Sequence, residues 1–207
     1  MTITYRVGAG LYVNLTNRCG NRCDFCVRTF SDAVGDAPTL WLPREPTRAE
    51  VWESIASHDM NACRELVFCG YGEPTERLDD LLWVCARMRE TYPGVPTRIN
   101  TNGQANLIHG ADVTPRLRGL VDTVSVSLNY PDAARYEAHC RPVYGGAFEA
   151  LLTFARLAAA QVPAVVMTVV DLLPAADIER CRALAASCGA GFRVRSAMLP
   201  EGGGAAG

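Results

Sequence analysis

The chain contains no lysine: all 20 of its basic side chains are arginine, set against 22 acidic ones. That excludes a lysine Schiff base and a lysine general base. A net charge of −2 supplies no field that would draw the protein to nucleic acid or an anionic membrane. Long apolar runs are also missing, so nothing marks a membrane span. The opening MTITYRVGAG lacks the apolar stretch of a secretory signal. Nine cysteines without an export signal point to a reducing compartment, where thiols serve metals or catalysis ahead of disulfides. The expected location is the cytoplasm.

What is present is an ordinary globular composition, 49% hydrophobic and 20% charged over 207 residues, enough for one domain with a real core. Residues 1–200 are expected to form that domain, with 201–207 (EGGGAAG) as a flexible tail. Six short strand patterns recur, at 11–16, 65–70, 97–103, 123–129, 164–171 and 191–196. Between them lie helical patterns, near 47–58, 76–92, 111–118, 145–160 and 175–188. Thr47 and Glu50 open the first with the spacing of a capping box. Strict alternation predicts a parallel sheet with right-handed crossovers, an α/β partial (βα)6 TIM-like barrel two strands short of the complete fold.

The strands carry a second signal. Side chains alternate between faces, so Val124, Val126 and Leu128 oppose Ser125, Ser127 and Asn129. Leu11, Val13 and Leu15 likewise oppose Tyr12, Asn14 and Thr16. Arg98, Asn100 and Asn102 share one face, as do Arg193 and Arg195. The apolar faces must meet the helices, which turns hydroxyls, amides and guanidiniums into the lumen. A barrel interior is normally filled with branched aliphatics, and each buried neutral polar group left unpaired costs roughly 1–3 kcal/mol. A polar ligand in the lumen removes that conflict.

Cys19, Cys23 and Cys26 fall in TNRCGNRCDFC, at the C-terminal end of the first predicted strand, where barrel enzymes place their sites. Structural zinc wants four ligands, and no second CxxC or HxxxH pair completes such a set locally. Three cysteines can instead hold a [4Fe–4S] cluster with one iron left open to substrate or cofactor.

The pattern Cys19-x-x-x-Cys23-x-x-Cys26, with Phe25 before the last cysteine, resembles the cluster loop of the radical S-adenosylmethionine (radical SAM) superfamily. GYGEPT at 70–75 resembles the family's Gly-Gly-Glu-Pro segment, with Tyr71 standing where the second glycine is usual. NTNG at 100–103 and SVSLN at 125–129 resemble its later polar strand ends. More narrowly, LTNRC, YGEPT, INTNGQANLIHG, VSLN, CRP and FRVR resemble short radical SAM proteins associated with TatD-family hydrolases.

The resemblance implies a [4Fe–4S] cluster on Cys19, Cys23 and Cys26, and S-adenosylmethionine bound beside it. It implies reductive cleavage of that cofactor to a 5′-deoxyadenosyl radical that abstracts hydrogen from a substrate. Gly70, Gly72 and Glu73 would meet the methionyl amine, and Phe25 the adenine. Asn100, Asn102, Ser127 and Asn129 would line the ribose and carboxylate side, with Arg141 facing a carboxylate. An external electron donor such as flavodoxin or ferredoxin is implied. The substrate is left open among small molecules, nucleotides and peptides. Competing readings are a glycyl-radical-enzyme activase, a 7-carboxy-7-deazaguanine-synthase-like enzyme and a non-catalytic iron–sulfur module.

Of the remaining cysteines, Cys85, Cys181 and Cys188 fall on apolar helical stripes and are expected in the core. Cys63 lies at a strand entrance and Cys69 at a strand end beside Gly70. Cys140, in AHCRP, is the candidate catalytic thiol, a hydrogen-atom donor to a substrate radical. The 28–46 segment carries Phe30 and Trp41 and is long for a loop of this kind; it is expected to be a lid or a cover on the barrel's side or bottom.

Overall fold

All six expected parallel strands are present, in the unbroken spatial order β2 (Gly10–Val13), β3 (Glu65–Phe68), β4 (Thr97–Thr101), β5 (Thr123–Ser127), β6 (Ala164–Val170) and β7 (Gly191–Arg195). This is a computed structural model that describes residues 1–197; the tail at 201–207 lies outside the described residues. A seventh strand, β1 (Thr4–Val7), was not expected. It pairs antiparallel with β2, Thr4 opposite Val13, through the Gly8 turn. Its four residues are too few for periodicity to register. Among the described residues β1 and β7 form the two edges, so the sheet is an arc and the barrel is not closed.

The helices cover one face. α1 (Arg48–Ala56) starts in the expected capping box: Glu50 N donates to Thr47 Oγ1 at 3.2 Å, and Thr47 N to Glu50 Oε2 at 2.8 Å. α2 (Leu78–Thr91) buries Leu78, Leu81, Leu82, Cys85 and Met88, the i, i+3, i+4 stripe its sequence displays. α5 (Ala147–Ala159) buries Phe148, Leu151 and Phe154, and α6 (Ala175–Ser187) buries Cys181. These meet Leu11, Val13, Phe68, Ile99, Val124, Val126 and Met167 from the sheet in one core. Cys63, Cys85, Cys181 and Cys188 are all in it as small hydrophobes.

Two helical details differ from the periodicity. In place of the expected 111–118 helix there is a 3-10 turn at Thr114–Leu117, preceded by a short helix that was not expected, α3 (Ala105–His109). Gly110, at φ +65°, ends α3 in the left-handed region, and Pro115 starts the turn. α4 (Ala133–Cys140), capped by Asp132, went unforeseen, since its eight residues bury only Tyr136 and Cys140. It matters for the site.

Candidate active site

The polar strand faces do turn inward. At the C-terminal end of the sheet they line a cavity of about 200 Å³, and Cys19, Cys23 and Cys26 form one wall of it. Phe25 borders the same space and packs at a tilt against Tyr130, 6.1 Å between ring centroids. Gly70, Gly72 and Glu73 come from the β3 end, Asn100 and Asn102 from the β4 end, Ser127 and Asn129 from the β5 end.

Two candidates are elsewhere. Arg141 is exposed, and its guanidinium reaches Ala138 O at 3.3 Å and the Asp24 carboxylate at 3.8 Å. Its work is at the end of α4, where it adopts φ +45°. Cys140 is fully buried behind the cysteine loop and does not border the cavity; its sulfur accepts a hydrogen bond from Asn129 Nδ2 at 3.5 Å. The cavity-lining thiol beyond the three is Cys69, on the lumen face because Leu66 and Phe68 take the core face.

α4 is what holds the cysteine loop. Arg22 N donates to Cys140 O at 2.9 Å, Asp24 N to His139 O at 3.1 Å, and Val143 N to Gly20 O at 2.8 Å. Beneath the loop, Gln104 Nε2 donates to Asn21 Oδ1 at 2.7 Å and to Tyr136 Oη at 3.0 Å, while Asn21 Nδ2 reaches the same phenol at 3.1 Å. All three residues are buried. On the other side Arg28 donates to Asn21 O and Tyr71 O, joining the loop to the glycine segment. None of these anchors has a local sequence signature, because each bond spans distant parts of the chain.

The two glycines are required by close approach. A Cβ on Gly72 would lie 2.3 Å from Thr16 O and 2.6 Å from Arg18 O, and one on Gly70 would lie 2.1 Å from Asn14 Oδ1. Their absence of side chains lets the β3 end pack directly on the β2 end and the cysteine loop. Gly72→Ala is therefore expected to displace backbone against backbone. It should cost about 1–3 kcal/mol of stability, read in thermal unfolding, together with weaker iron retention. Tyr71 fits between the glycines because its ring packs away from the thiols, in a small second core with Tyr5, Ala37 and Leu40. Its hydroxyl donates to Ser31 O and its ring meets Trp41 edge-on. The 28–46 segment is thus pinned along the β1 side of the sheet, with only its start, including Phe30, facing a second cavity beside the first.

Glu73 is the electrostatic centre of the site. Its carboxylate is buried, and it accepts four hydrogen bonds: from Thr75 N (3.1 Å), Thr75 Oγ1 (2.7 Å) and Thr101 Oγ1 (2.8 Å) on Oε1, and from Asn102 N (2.7 Å) on Oε2. Burial nevertheless pushes its carboxyl above the usual carboxylate range. Among the described residues no arginine or histidine pairs with it. Oε2, with one bond, keeps a free lone pair.

The thiols are also held neutral in the absence of a partner. Burial, then the nearby Glu73 charge, pushes Cys19 up to about 12. The adjacent Cys140 thiol, then burial, raises Cys23, and burial raises Cys26. The Arg28 guanidinium acts in the opposite sense on all three.

These features fit an iron–sulfur cluster with a zwitterionic cofactor beside it. Among the described residues no three His, Cys, Asp or Glu side chains gather around a point as ligands of a single ion would. The three thiols line one cavity, and in a cluster each iron takes its own thiolate. Asn102 Nδ2 and Asn129 Oδ1 are buried there without a protein partner, a donor and an acceptor turned toward a polar ligand. Glu73 lacks a cation.

Comparison with known proteins agrees. Residues 13–185 match the model of the Radical SAM superfamily. The chain belongs to the radical SAM superfamily. Its members are enzymes that use a [4Fe–4S] cluster and S-adenosylmethionine, and those are this chain's cofactors. Among curated relatives, the GTP 3′,8-cyclases of Rhodococcus opacus and Corynebacterium glutamicum are 35% identical over 131 residues and 34% over 140. Each match covers 63% of this chain and about a third of the relative, 35% and 33%. In fold, this radical SAM chain resembles Streptococcus suis SuiB bound to its precursor peptide SuiA, with a TM-score of 0.66 and 16% identity over 90% of this chain and 39% of that one. It also resembles methylornithine synthase, TM-score 0.60 and 14% identity over 92% and 54%. Among the described residues no helix is long and apolar enough to cross a membrane.

Proposed function

We propose that the chain binds a [4Fe–4S] cluster through Cys19, Cys23 and Cys26, binds S-adenosylmethionine against Glu73, and acts as a radical enzyme on a separate substrate. The observation that carries this reading is the convergence of three thiols, a cation-free buried carboxylate and two amides with one unpartnered atom each on one cavity. When bound and reduced by one electron, these cofactors supply a 5′-deoxyadenosyl radical, a hydrogen-atom abstractor.

The protein's part is binding, orientation and exclusion of water. Glu73 Oε2 offers a charge-assisted bond to the methionyl ammonium. Asn102 Nδ2 donates to an acceptor such as the carboxylate, and Asn129 Oδ1 accepts from a ribose hydroxyl. Phe25 presents an apolar surface to the adenine. Ser125, Ser127 and Thr168 complete a hydroxyl-lined wall. An external one-electron donor of the flavodoxin or ferredoxin kind is part of the reading, since none of these side chains is a reductant.

The test is anaerobic reconstitution with iron and sulfide, reduction, and measurement of 5′-deoxyadenosine released from S-adenosylmethionine. Release that depends on the cluster is expected. A fully loaded, reduced cluster that binds the cofactor and never cleaves it would leave the non-catalytic iron–sulfur module as the better account.

A further inference from the structure

A second cavity, of about 470 Å³, adjoins the first. The two share Phe25, Cys26, Gly70, Ser127 and Arg195, so a ligand in one is next to a ligand in the other. Its own walls are largely apolar, with Val27 and Phe30 on one side and Val170 and Leu172 on the other. Leu172 is 56% exposed, a large apolar side chain left open to solvent at the end of β6.

Its charge is unbalanced. Asp24, the acidic residue on the wall, already accepts from His139 Nδ1 at 2.9 Å, with Arg141 at 3.8 Å. In the lumen, Arg98 is neutralised by Glu65, Nε and Nη2 donating to its two oxygens at 2.9 and 2.8 Å. Arg195, at the exposed end of β7, makes no side-chain hydrogen bond or ion pair among the described residues, and neither does Arg193, exposed two residues away on the same strand face. The boundary between the cavities therefore presents a planar guanidinium fork, the group that matches carboxylate and phosphate in geometry as well as charge. Apolar walls with a few placed polar groups are the general form of a small-molecule site.

We propose that this second cavity is the substrate site and takes a molecule with an aromatic or apolar body and an anionic group, phosphate or carboxylate, held by Arg195. The proposal rests on the radical-enzyme reading, which needs a substrate within reach of the cofactor, and it adds the chemistry of that substrate.

Equilibrium calorimetry on the cluster-loaded protein with S-adenosylmethionine, and no reductant, tests it. The probes are guanosine, GMP and GTP for phosphate, and indole with indole-3-acetate for carboxylate. In at least one series the anionic probe should bind about tenfold or more tightly than its neutral counterpart, the range of a charge-assisted pair. The series that shows the gap identifies the anion. Arg195→Gln should close it while the neutral probe keeps its affinity, which also reports that the variant is folded. Leu172→Glu, placing a like charge two residues past Val170, the strand partner of Arg195, should weaken the anion selectively. Equal binding of neutral and anionic probes by the wild type, unchanged anion binding by Arg195→Gln, or no binding of any probe at millimolar concentration would each overturn the proposal. Cofactor cleavage is measured without a probe and probe binding without a reductant, so failure of one is distinguishable from failure of the other.

Discussion

Cys23→Ala is expected to abolish cluster retention and, with it, cofactor cleavage down to background, the largest effect of any single change considered. Cys23 lines the cavity, and its amide neighbours Arg22 and Asp24 are both tied to the end of α4, so its sulfur is fixed at one place on the wall. No other thiol can take that place. Cys140 is adjacent but fully buried, and its backbone is committed to holding the loop. Cys69 lines the cavity from the end of β3, outside the cysteine loop. Iron and sulfide content per chain, the visible absorption of the reconstituted protein and 5′-deoxyadenosine release are the three readouts. The matched control is Cys181→Ala, a buried thiol in the α6 core, which should lower stability by about 1 kcal/mol and leave iron content as in the wild type. Retention of a full cluster by Cys23→Ala would show that a different set of side chains holds it.

That contrast between two cysteines was legible in the sequence, and the reason is periodicity. Cys85 and Cys181 are on stripes of period 3.6, and the structure buries both. Cys19, Cys23 and Cys26 belong to no apolar period, and the structure lines them along a cavity. The alternation of Val124, Val126 and Leu128 with Ser125, Ser127 and Asn129 was equally readable, and it placed a polar wall in the lumen before any contact was known.

What was not legible depends on contacts between distant positions. α4 is short, buries two residues and acts on the loop through backbone bonds to Arg22 and Asp24, with Val143 just beyond it bonding Gly20; a backbone bond leaves no trace in residue identity. The Asn21–Gln104–Tyr136 network has the same character. The resemblance sets Arg141 facing a carboxylate, yet its φ of +45° makes it a helix terminator. Thr168 shows a missed signal that was available, the one polar side chain inside AVVMTVV, which alternation places on the lumen face. The end of 28–46 toward Tyr71 was hidden for a different reason. Tyr71, displacing a glycine of the usual segment, supplies a ring for Leu40 and Trp41 to pack against, so one substitution accounts for both the departure from the pattern and the placement of the loop.

Glu73→Gln is expected to separate the two cofactors that Cys23→Ala removes together. The cluster should assemble at wild-type iron content, because Glu73 bonds to Thr75, Thr101 and Asn102 and to none of the cysteines. Affinity for S-adenosylmethionine should fall about ten- to a hundredfold, the range of a lost charge-assisted bond in a buried site. The amide is also a poor guest, since every group around the carboxylate is a donor and one of its oxygens would become a donor too. The pH dependence gives a sharper test. Burial holds the Glu73 carboxyl above its unfolded range, so the native state binds this proton more tightly. Without cofactor, this contribution to stability is greatest below the ordinary carboxylate range and falls as pH rises toward the folded value. A bound ammonium reverses that, because it interacts with the ionised form. The increase in melting temperature on adding S-adenosylmethionine should therefore grow as pH rises from acidic to neutral in the wild type, and stay flat in Glu73→Gln. A cofactor-induced shift with the same pH profile in both proteins would show that the ammonium is held elsewhere.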